Sequence, residues 1–426
     1  MKKLSLILAL LLMLSCLPFA CAETQEADVS AYDAAFALYQ AGDYAAALPL
    51  FEELGNAGNA SAMYYTAVIL SDGLTGDPDH LAAAEWFNRA VAAGDHFSAI
   101  NLIYLYRSKL IPSDAVDTVA VRDLLLSMES TFTGEDQNDG AFLSWIAAGY
   151  ECGMFSPDGS PDYTNALAFN LRSAGLGHFQ AMFDLGKGYM DGSYTGGIPD
   201  PEEAVAWYQK AYEGGEDYAF TLLYNTYHDG VIAADGTDLL LPDEDRLIEL
   251  LNQAFDKGTL TASHRNELVD AILAGDAPDY QRVLAIWLDG ARKGEAYACT
   301  KTAYLYKDGA TAADGTVLIE KDMAMAFIYF EKAHAMDPTD VAALEWLGWF
   351  LSGNWEPIIA DYPRAREIYD AAAELGSSYA MLQLGTLYRD ARLGEADYDL
   401  ARQWFEAALN AGREDAQAAL DALNGQ

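Results

Sequence analysis

Aspartate is the residue type most suggestive of chemistry in this chain, because it recurs at a regular spacing. A row of carboxylates could serve acid–base catalysis. Aspartate is also a favoured helix N-cap, because its carboxylate accepts hydrogen bonds from the free N–H groups of the first turn. We therefore predict that these residues cap helices, and we predict no catalytic residue. Ten aspartates stand seven residues before a large apolar position and lie 36 to 45 residues apart: Asp43, Asp79, Asp117, Asp162, Asp200, Asp243, Asp279, Asp322, Asp361 and Asp397.

The six histidines give no metal-binding or nucleophile-activating pattern. None has a second His or Cys at metal-ligand spacing, and the sequence contains no His-Glu-x-x-His motif. It also contains no Gly-x-Ser-x-Gly motif and no phosphate-binding glycine loop with a lysine. The segment from Asp136 to Gly140 is one residue short of the EF-hand spacing and lacks the terminal glutamate. We expect no cofactor and no metal site.

Two of the longer intervals between the aspartates contain a similar insert. Residues 229–243 read DGVIAADGTDLLLPD, and residues 308–322 read DGATAADGTVLIEKD. Asp235-Gly236 and Asp314-Gly315 have apolar flanks, which is a hairpin signal, and we predict type I′ turns at both pairs. We expect the two tips on the same edge of the repeat array, roughly 20 Å apart. The inserts are either binding elements, which makes these four residues candidate binding residues, or lengthened loops without a function.

Helices must position these residues, because the apolar side chains after each aspartate have a helical period. Ala204, Trp207, Tyr208 and Ala211 illustrate the spacing of 3, 4 and 7 residues. A glycine eight residues after the large apolar position predicts the end of this helix. A second helix then begins near a small residue. The small residues are Ala62, Ala181, Ala219, Ala298 and Ala380.

A tyrosine stands eight residues after the small residue in four units, as Tyr189, Tyr227, Tyr306 and Tyr388. A fixed position in the repeat favours packing between units over a ligand-binding groove. A helix pair of this size cannot bury its own faces, so neighbouring pairs must stack. The sequence therefore predicts an all-α fold, an α/α solenoid superhelix of about ten helix-turn-helix repeats.

Two segments carry a resemblance to a known family. They read AVAWYQKAYEGGEDYAFTLLYNTYHDG and AREIYDAAAELGSSYAMLQLGTLYRDA, and they resemble Sel1-like repeats, which are related to the tetratricopeptide repeat. The resemblance covers about residues 43–426 and is weakest at 117–155. It implies a superhelix that serves as a binding scaffold. Some members carry a regular cysteine pair in each unit and are linked to cell-wall chemistry, and this chain lacks those pairs.

The first 22 residues have the pattern of a bacterial signal peptide. Two lysines precede an apolar run over residues 4–14, which is too short to span a membrane, and Ala-Cys-Ala at 20–22 precedes a polar start. We predict cleavage after residue 22 and secretion, with a lipid anchor at Cys16 or Cys21 as the alternative. We divide the chain into a signal peptide at 1–22, a leader with a capping helix at 23–42, and the repeat solenoid at 43–426.

The charge of the chain limits its partners. Lys and Arg number 25 against 65 Asp and Glu, which gives a net charge of −40. A field of this sign repels nucleic acid and anionic lipid and favours a basic partner. We expect no transmembrane segment after residue 22, and we expect Cys152 and Cys299 to be free, because four repeat units separate them.

We therefore predict a secreted, non-catalytic scaffold that binds a protein, a peptide or a glycan. The alternative is a cell-wall or glycan-processing hydrolase that uses carboxylates.

Overall fold

The structure is a computed structural model that describes residues 25–129, 137–353 and 355–424. The predicted signal peptide lies outside these residues, and so does Asp136 of the segment compared with an EF-hand. The described residues form 21 α-helices and two two-stranded sheets. The predicted all-α class and its α/α solenoid repeats are therefore confirmed.

The chain divides into two compact units, residues 1–244 and 245–426, and we describe each by itself. In the first unit, a leading helix is followed by five helix pairs and one hairpin. These elements are α1 (Gln25–Gln40), α2 (Tyr44–Asn56), α3 (Ala60–Ser71), α4 (His80–Ala92), α5 (His96–Arg107), α6 (Thr118–Glu129), α7 (Gln137–Glu151), α8 (Tyr163–Gly175), α9 (Phe179–Met190), α10 (Pro201–Gly214), α11 (Asp217–Asp229), β1 (Val231–Ile232) and β2 (Asp238–Leu240).

The second unit repeats the same plan with five further pairs and one hairpin. Its first helix begins one residue before the boundary between the units. The elements are α12 (Glu244–Asp256), α13 (Ala262–Ala274), α14 (Tyr280–Arg292), α15 (Ala296–Asp308), β3 (Ala310–Thr311), β4 (Val317–Ile319), α16 (Met323–Met336), α17 (Val341–Ser352), α18 (Tyr362–Glu374), α19 (Ser378–Arg389), α20 (Tyr398–Asn410) and α21 (Asp415–Asn424).

The recurring aspartates begin helices, as predicted. Nine of the ten accept a hydrogen bond from the backbone N–H three residues ahead, at 2.8 to 3.2 Å. The tenth, Asp243, directly precedes α12. Each bond satisfies a donor that the first turn leaves free, so these carboxylates stabilise their own helices.

In four repeats the backbone of the cap residue also closes the loop before its helix, because its N–H donates to the carbonyl of the predicted tyrosine near the end of the preceding helix. These pairs are Asp200 with Tyr189, Asp243 with Tyr227 and Asp322 with Tyr306, all at 2.8 Å, and Asp397 with Tyr388 at 3.1 Å. Through its backbone carbonyl, the tyrosine position therefore belongs to the connection between repeats.

Neighbouring helices pack by placing an aromatic ring against a glycine. A Cβ added to Gly186 of α9 would lie 2.5 Å from the ring of Tyr208 in α10. Gly385 of α19 makes the same approach to Phe405 of α20, again at 2.5 Å. Any side chain at these glycines would collide with the ring, so the second helix of one repeat fits closely against the first helix of the next. The small residues predicted to begin the second helices are fully buried.

Both cysteines among the described residues are free, as predicted. Cys299 is fully buried in α15, and Cys152 is partly buried just after α7. None of the helices in the described part of the chain is both long enough and apolar enough to span a bilayer.

Candidate functional site

The two inserts form antiparallel hairpins, as predicted. In the first, Val231 pairs with Leu240, and in the second Ala310 pairs with Ile319. The register of each ladder shifts by one residue at the same place, which marks a β-bulge. The two hairpins are therefore equivalent in strand pairing, and their longest identical stretch is the tip sequence Ala-Ala-Asp-Gly-Thr.

The predicted type I′ turn is wrong. That turn needs a positive φ at both Asp and Gly, but at the first tip only Gly236 has one, at +87°. The N–H of Gly236 donates to the carbonyl of Ala233 at 2.9 Å, and the N–H of Ala233 donates to the carbonyl of Thr237 at 2.8 Å. This pattern is a tight turn closed by a left-handed glycine, in which Asp235 keeps a negative φ.

The second tip has the same geometry. Gly315 also has a φ of +87°, and its N–H donates to the carbonyl of Ala312 at 2.9 Å. The tip carboxylates make equivalent hydrogen bonds in the two hairpins. Asp235 accepts a hydrogen bond from the N–H of Thr237 at 3.0 Å, and Asp314 accepts one from Thr316 at 2.9 Å.

The two tip carboxylates are exposed and charged. The hydrogen bond from the following threonine N–H lowers the pKa of Asp235 and of Asp314. Both therefore carry a negative charge at neutral pH. Apolar side chains lie near these charges, because Ile232 is 64% exposed, Leu241 66% and Val317 52%. The hairpins thus present carboxylates together with apolar surface to the solvent.

The inserts leave the connection between helices unchanged. The N–H of Asp243 reaches the carbonyl of Tyr227 at 2.8 Å across the first insert, and the N–H of Asp200 reaches Tyr189 at the same distance without a comparable insert. The hairpins are therefore additions to the connections between repeats. The second also packs on α14, because Ala310 and Ile319 are buried and Gln281 Nε2 donates to the carbonyl of Leu318 at 3.4 Å. The stacking distance of packed helices predicts that the two tips lie roughly 20 Å apart, and this separation stays a prediction.

A cavity that sequence reasoning missed lies in the first unit. Its volume is about 270 Å³. Its lining residues come from the ends of α5 and α7, from the start of α8, from α9 and from the loop after α9. They are Arg107, Glu151, Cys152, Tyr163, Asp184, Lys187, Gly188, Asp191, Ser193 and Tyr194.

Hydrogen bonds fix the two inner carboxylates of this cavity. Glu151 Oε1 accepts hydrogen bonds from the hydroxyl of Tyr194 and from Nδ2 of Asn170, the latter at 3.0 Å. Asp184 Oδ1 accepts one from Gln180 Nε2 at 3.3 Å. Within the described part of the chain, Glu151 Oε2 and Asp184 Oδ2 have no hydrogen-bond donor. Each carboxylate therefore keeps one oxygen available to a ligand.

Asp184 is a buried carboxyl of the cavity whose pKa is strongly raised. It is 8% exposed. This burial, with the nearby charge of Glu151, raises its pKa to about 6, although the positive charges of Arg107 and Lys187 act in the opposite direction. One signal in the sequence could have identified it. Asp184 lies three residues after Ala181, on the stripe that is apolar in an ordinary helix.

The cations at the cavity are unusual in so acidic a chain. Arg107 and Lys187 are exposed at its edge. Neither forms an ion pair with any residue in the ranges that the structure describes. The cavity thus brings together positive and negative groups that do not neutralise one another by direct contact.

Two buried carboxyls with raised pKa values in one pocket would support the alternative prediction, a hydrolase that uses carboxylates. Another carboxyl with a raised pKa, the partly buried Asp95, accepts a hydrogen bond from the N–H of Ser98 at 2.7 Å and does not line the cavity. Asp95 and Asp184 therefore do not form such a pair. In the described ranges, no group of three His, Cys, Asp or Glu side chains is placed to hold a metal ion.

The capped helix pairs and their glycine–aromatic contacts define an α/α repeat scaffold. The sequence model described as the Sel1 repeat matches residues 60–95, 179–216, 296–337, 341–377 and 378–412. The chain belongs to the Sel1-like repeat family. Repeats of this type generally mediate protein interactions, and the scaffold fits such a role.

Solved structures with similarity to this chain include other repeat proteins. A protective antigen of uropathogenic Escherichia coli strains with an SLR fold is 20% identical, with a TM-score of 0.38, and the match covers 88% of this chain and 74% of that one. A Sel1 repeat protein from Oxalobacter formigenes is 24% identical, with a TM-score of 0.33 and coverage of 65% and 100%. Yeast Tom70 is 12% identical, with a TM-score of 0.28 and coverage of 95% and 97%. The comparison with curated proteins gives no match.

Proposed function

We propose that this protein is a secreted, non-catalytic scaffold that captures a protein, peptide or glycan partner through its two inserted hairpins. The observation that carries the proposal is the duplication of the hairpin. Two inserts of equal length follow equivalent helices. Both have a left-handed glycine at the tip, and in both the threonine N–H donates to the carboxylate of the tip aspartate. Solvent-exposed loops supported by a rigid framework are common binding elements.

The surface of the hairpins indicates the chemistry of the partner. Residues 229–243 contain four aspartates and no lysine or arginine. Ile232 and Leu241 lie exposed in the same segment. A partner that carries basic groups next to apolar ones would complement both features.

Secretion is part of the proposal and is supported by the signal-peptide pattern of residues 1–22. Cleavage after Ala22 would make Glu23 the first residue of the mature protein. N-terminal sequencing of the protein from the culture medium of its producing organism tests this step. A protein that stays with the cell envelope and carries a lipid on Cys21 or Cys16 would instead support the anchored alternative.

The binding role is tested by shortening both inserts to the length of an ordinary repeat connection. Because the bond from Asp243 to Tyr227 can close the shorter loop as it does elsewhere, the melting temperature should stay nearly unchanged. We expect the shortened protein to lose the partner that the intact protein captures. The partner is identified from extracts of the producing organism and then retested in purified form.

A matched control is available outside the hairpins. Asp158 is exposed and accepts hydrogen bonds from the N–H and hydroxyl of Ser160, at 3.0 and 2.6 Å, much as the tip aspartates bond their threonines. Asp158→Asn should therefore leave capture intact, whereas Asp235→Asn with Asp314→Asn should weaken it. Full capture by the shortened protein would exclude the hairpins as the binding site. A large drop in its melting temperature would show that the inserts are structural.

A further inference from the structure

The cavity of the first unit contains separate positive and negative binding groups. Glu151 Oε2 and Asp184 Oδ2 have no hydrogen-bond donor among the described residues, and they form an anionic region. Arg107 and Lys187 form a cationic region of the same cavity, also without an ion-pair partner in the described ranges. Charged groups that are left unpaired next to a cavity are available to a ligand of opposite charge.

The site is preorganised on its anionic side. Asn170 is 1% exposed, and its Nδ2 donates both to Glu151 and to the hydroxyl of Tyr194, at 3.0 and 2.9 Å. Asn170 and Tyr194 therefore hold Glu151 at one oxygen and leave the other free. Asp184 is held in a similar way by Gln180. Side chains fixed by a second layer of hydrogen bonds lose little freedom when a ligand binds.

A ligand of one charge sign does not suit this arrangement. A simple anion would be repelled by Glu151, Asp184 and Asp191, and a simple cation would be repelled by Arg107 and Lys187. The volume of about 270 Å³ lies just below the range of about 300–1,000 Å³ that is typical of small-molecule pockets. The fitting ligand is therefore a small molecule that carries both charges.

We propose that this cavity binds a small zwitterion of the free α-amino acid class. Its ammonium group donates to the free oxygens of Glu151 and Asp184, and its carboxylate accepts from Arg107 and Lys187. This binding is independent of the hairpins and of the partner that they capture. No bond is made or broken, so the site is a recognition site.

The first experiment is a calorimetric titration of the purified protein with each of the twenty standard L-amino acids, up to about 10 mM. We expect at least one to bind. The tightest binder is then compared with its amide, which lacks the carboxylate charge, and with its N-acetyl form, which lacks the ammonium. Each analogue should bind about tenfold more weakly or worse, because a charged hydrogen-bonding group is lost.

Crossed variants then assign each charge to its region. Arg107→Met should weaken the amino acid about tenfold but leave the affinity of the amide unchanged. Glu151→Gln should weaken the amino acid and leave the affinity of the N-acetyl form unchanged. Two exposed residues of the same unit that do not line the cavity provide controls, Arg172→Met and Asp77→Asn. Circular dichroism of all four variants verifies that the helices are retained.

Four results would overturn the proposal. The first is that no amino acid binds the intact protein, and the second is that the amide and the N-acetyl form bind as well as the parent amino acid. The third is that the cavity variants bind the amino acid as tightly as the two control variants do. The fourth is that Arg107→Met weakens binding of the amide as much as binding of the amino acid. A stronger response to an N-acetyl form or to an amide than to the free amino acid would identify an anion site or a cation site instead.

Discussion

Asp184 should make the folded protein less stable at neutral pH, and Asp184→Asn should remove this cost. Burial raises the pKa of Asp184 from 3.8 to about 6. Each pKa unit corresponds to about 1.4 kcal/mol, so the ionised carboxyl lowers the free energy of unfolding by about 3 kcal/mol above pH 6. Asparagine has the same shape, carries no charge, and can still accept the hydrogen bond from Gln180.

The sign of the pH dependence follows from the two protonation states. Well below about pH 4 the carboxyl is protonated in both the folded and the unfolded chain, so aspartate and asparagine should differ little. As the pH rises to about 6, the unfolded chain ionises first, and the wild-type protein loses stability relative to Asp184→Asn. The difference should then stay constant at higher pH.

Urea denaturation followed by far-UV circular dichroism, at about pH 4 and about pH 8, measures this difference. Asp77→Asn removes an exposed carboxylate of the same unit and should show no comparable gain. The reasoning fails if Asp184→Asn is no more stable than the wild type at the higher pH. It also fails if the gain is equally large at the lower pH. A stabilised variant that binds amino acids more weakly would show that the cavity keeps this charge at a cost in stability.

Three other predictions concern the helical framework. Arg265 is fully buried and donates to Glu295 at 3.0 and 3.2 Å. Arg265→Met should therefore lower the free energy of unfolding by about 3 kcal/mol, measured by urea denaturation. A loss of stability near zero would contradict this prediction. Asp279→Ala removes the bond to the N–H of Arg282 at 2.9 Å and should cost about 1 kcal/mol in the same assay; no measurable loss would argue against capping. Thiol titration of unfolded, unreduced protein that begins at residue 23 should find Cys152 and Cys299 both reactive, and finding neither would be inconsistent with the structure.

The elements that depend on local physics could be predicted from the sequence. A cap aspartate such as Asp200 and a helix-ending glycine such as Gly215 act within one turn of their own helix, so their spacing is visible along the chain. The structure places Gly215 at a φ of +110°. The hairpins were also predictable, because Asp-Gly with apolar flanks is a local signal. Their turn type was not, since Asp-Gly fits both turns and only the structure shows that the glycine alone has a positive φ.

The cavity could not be predicted, because its residues are distant in the sequence and come together only when the repeats stack. Arg107 and Asp184 lie 77 residues apart and belong to different repeats. They occupy positions whose residue type differs from one repeat to the next, so the repeat pattern does not indicate that they share a site. The charge of Asp184 on a buried stripe was the one available signal, and only the structure shows that Glu151 lies beside it.

The closed base of each hairpin also allows the two inserts to diverge in sequence independently of the repeats. Because the cap N–H bonds to the tyrosine carbonyl whatever the loop contains, substitutions beyond that bond do not change the spacing of the helices. The two inserts already differ in this way. Asp238 in the first corresponds to Val317 in the second, and Leu241 corresponds to Glu320, while the tip sequence is the same. Selection can therefore change the exposed residues of one hairpin for a new partner without affecting the other hairpin or the helical core.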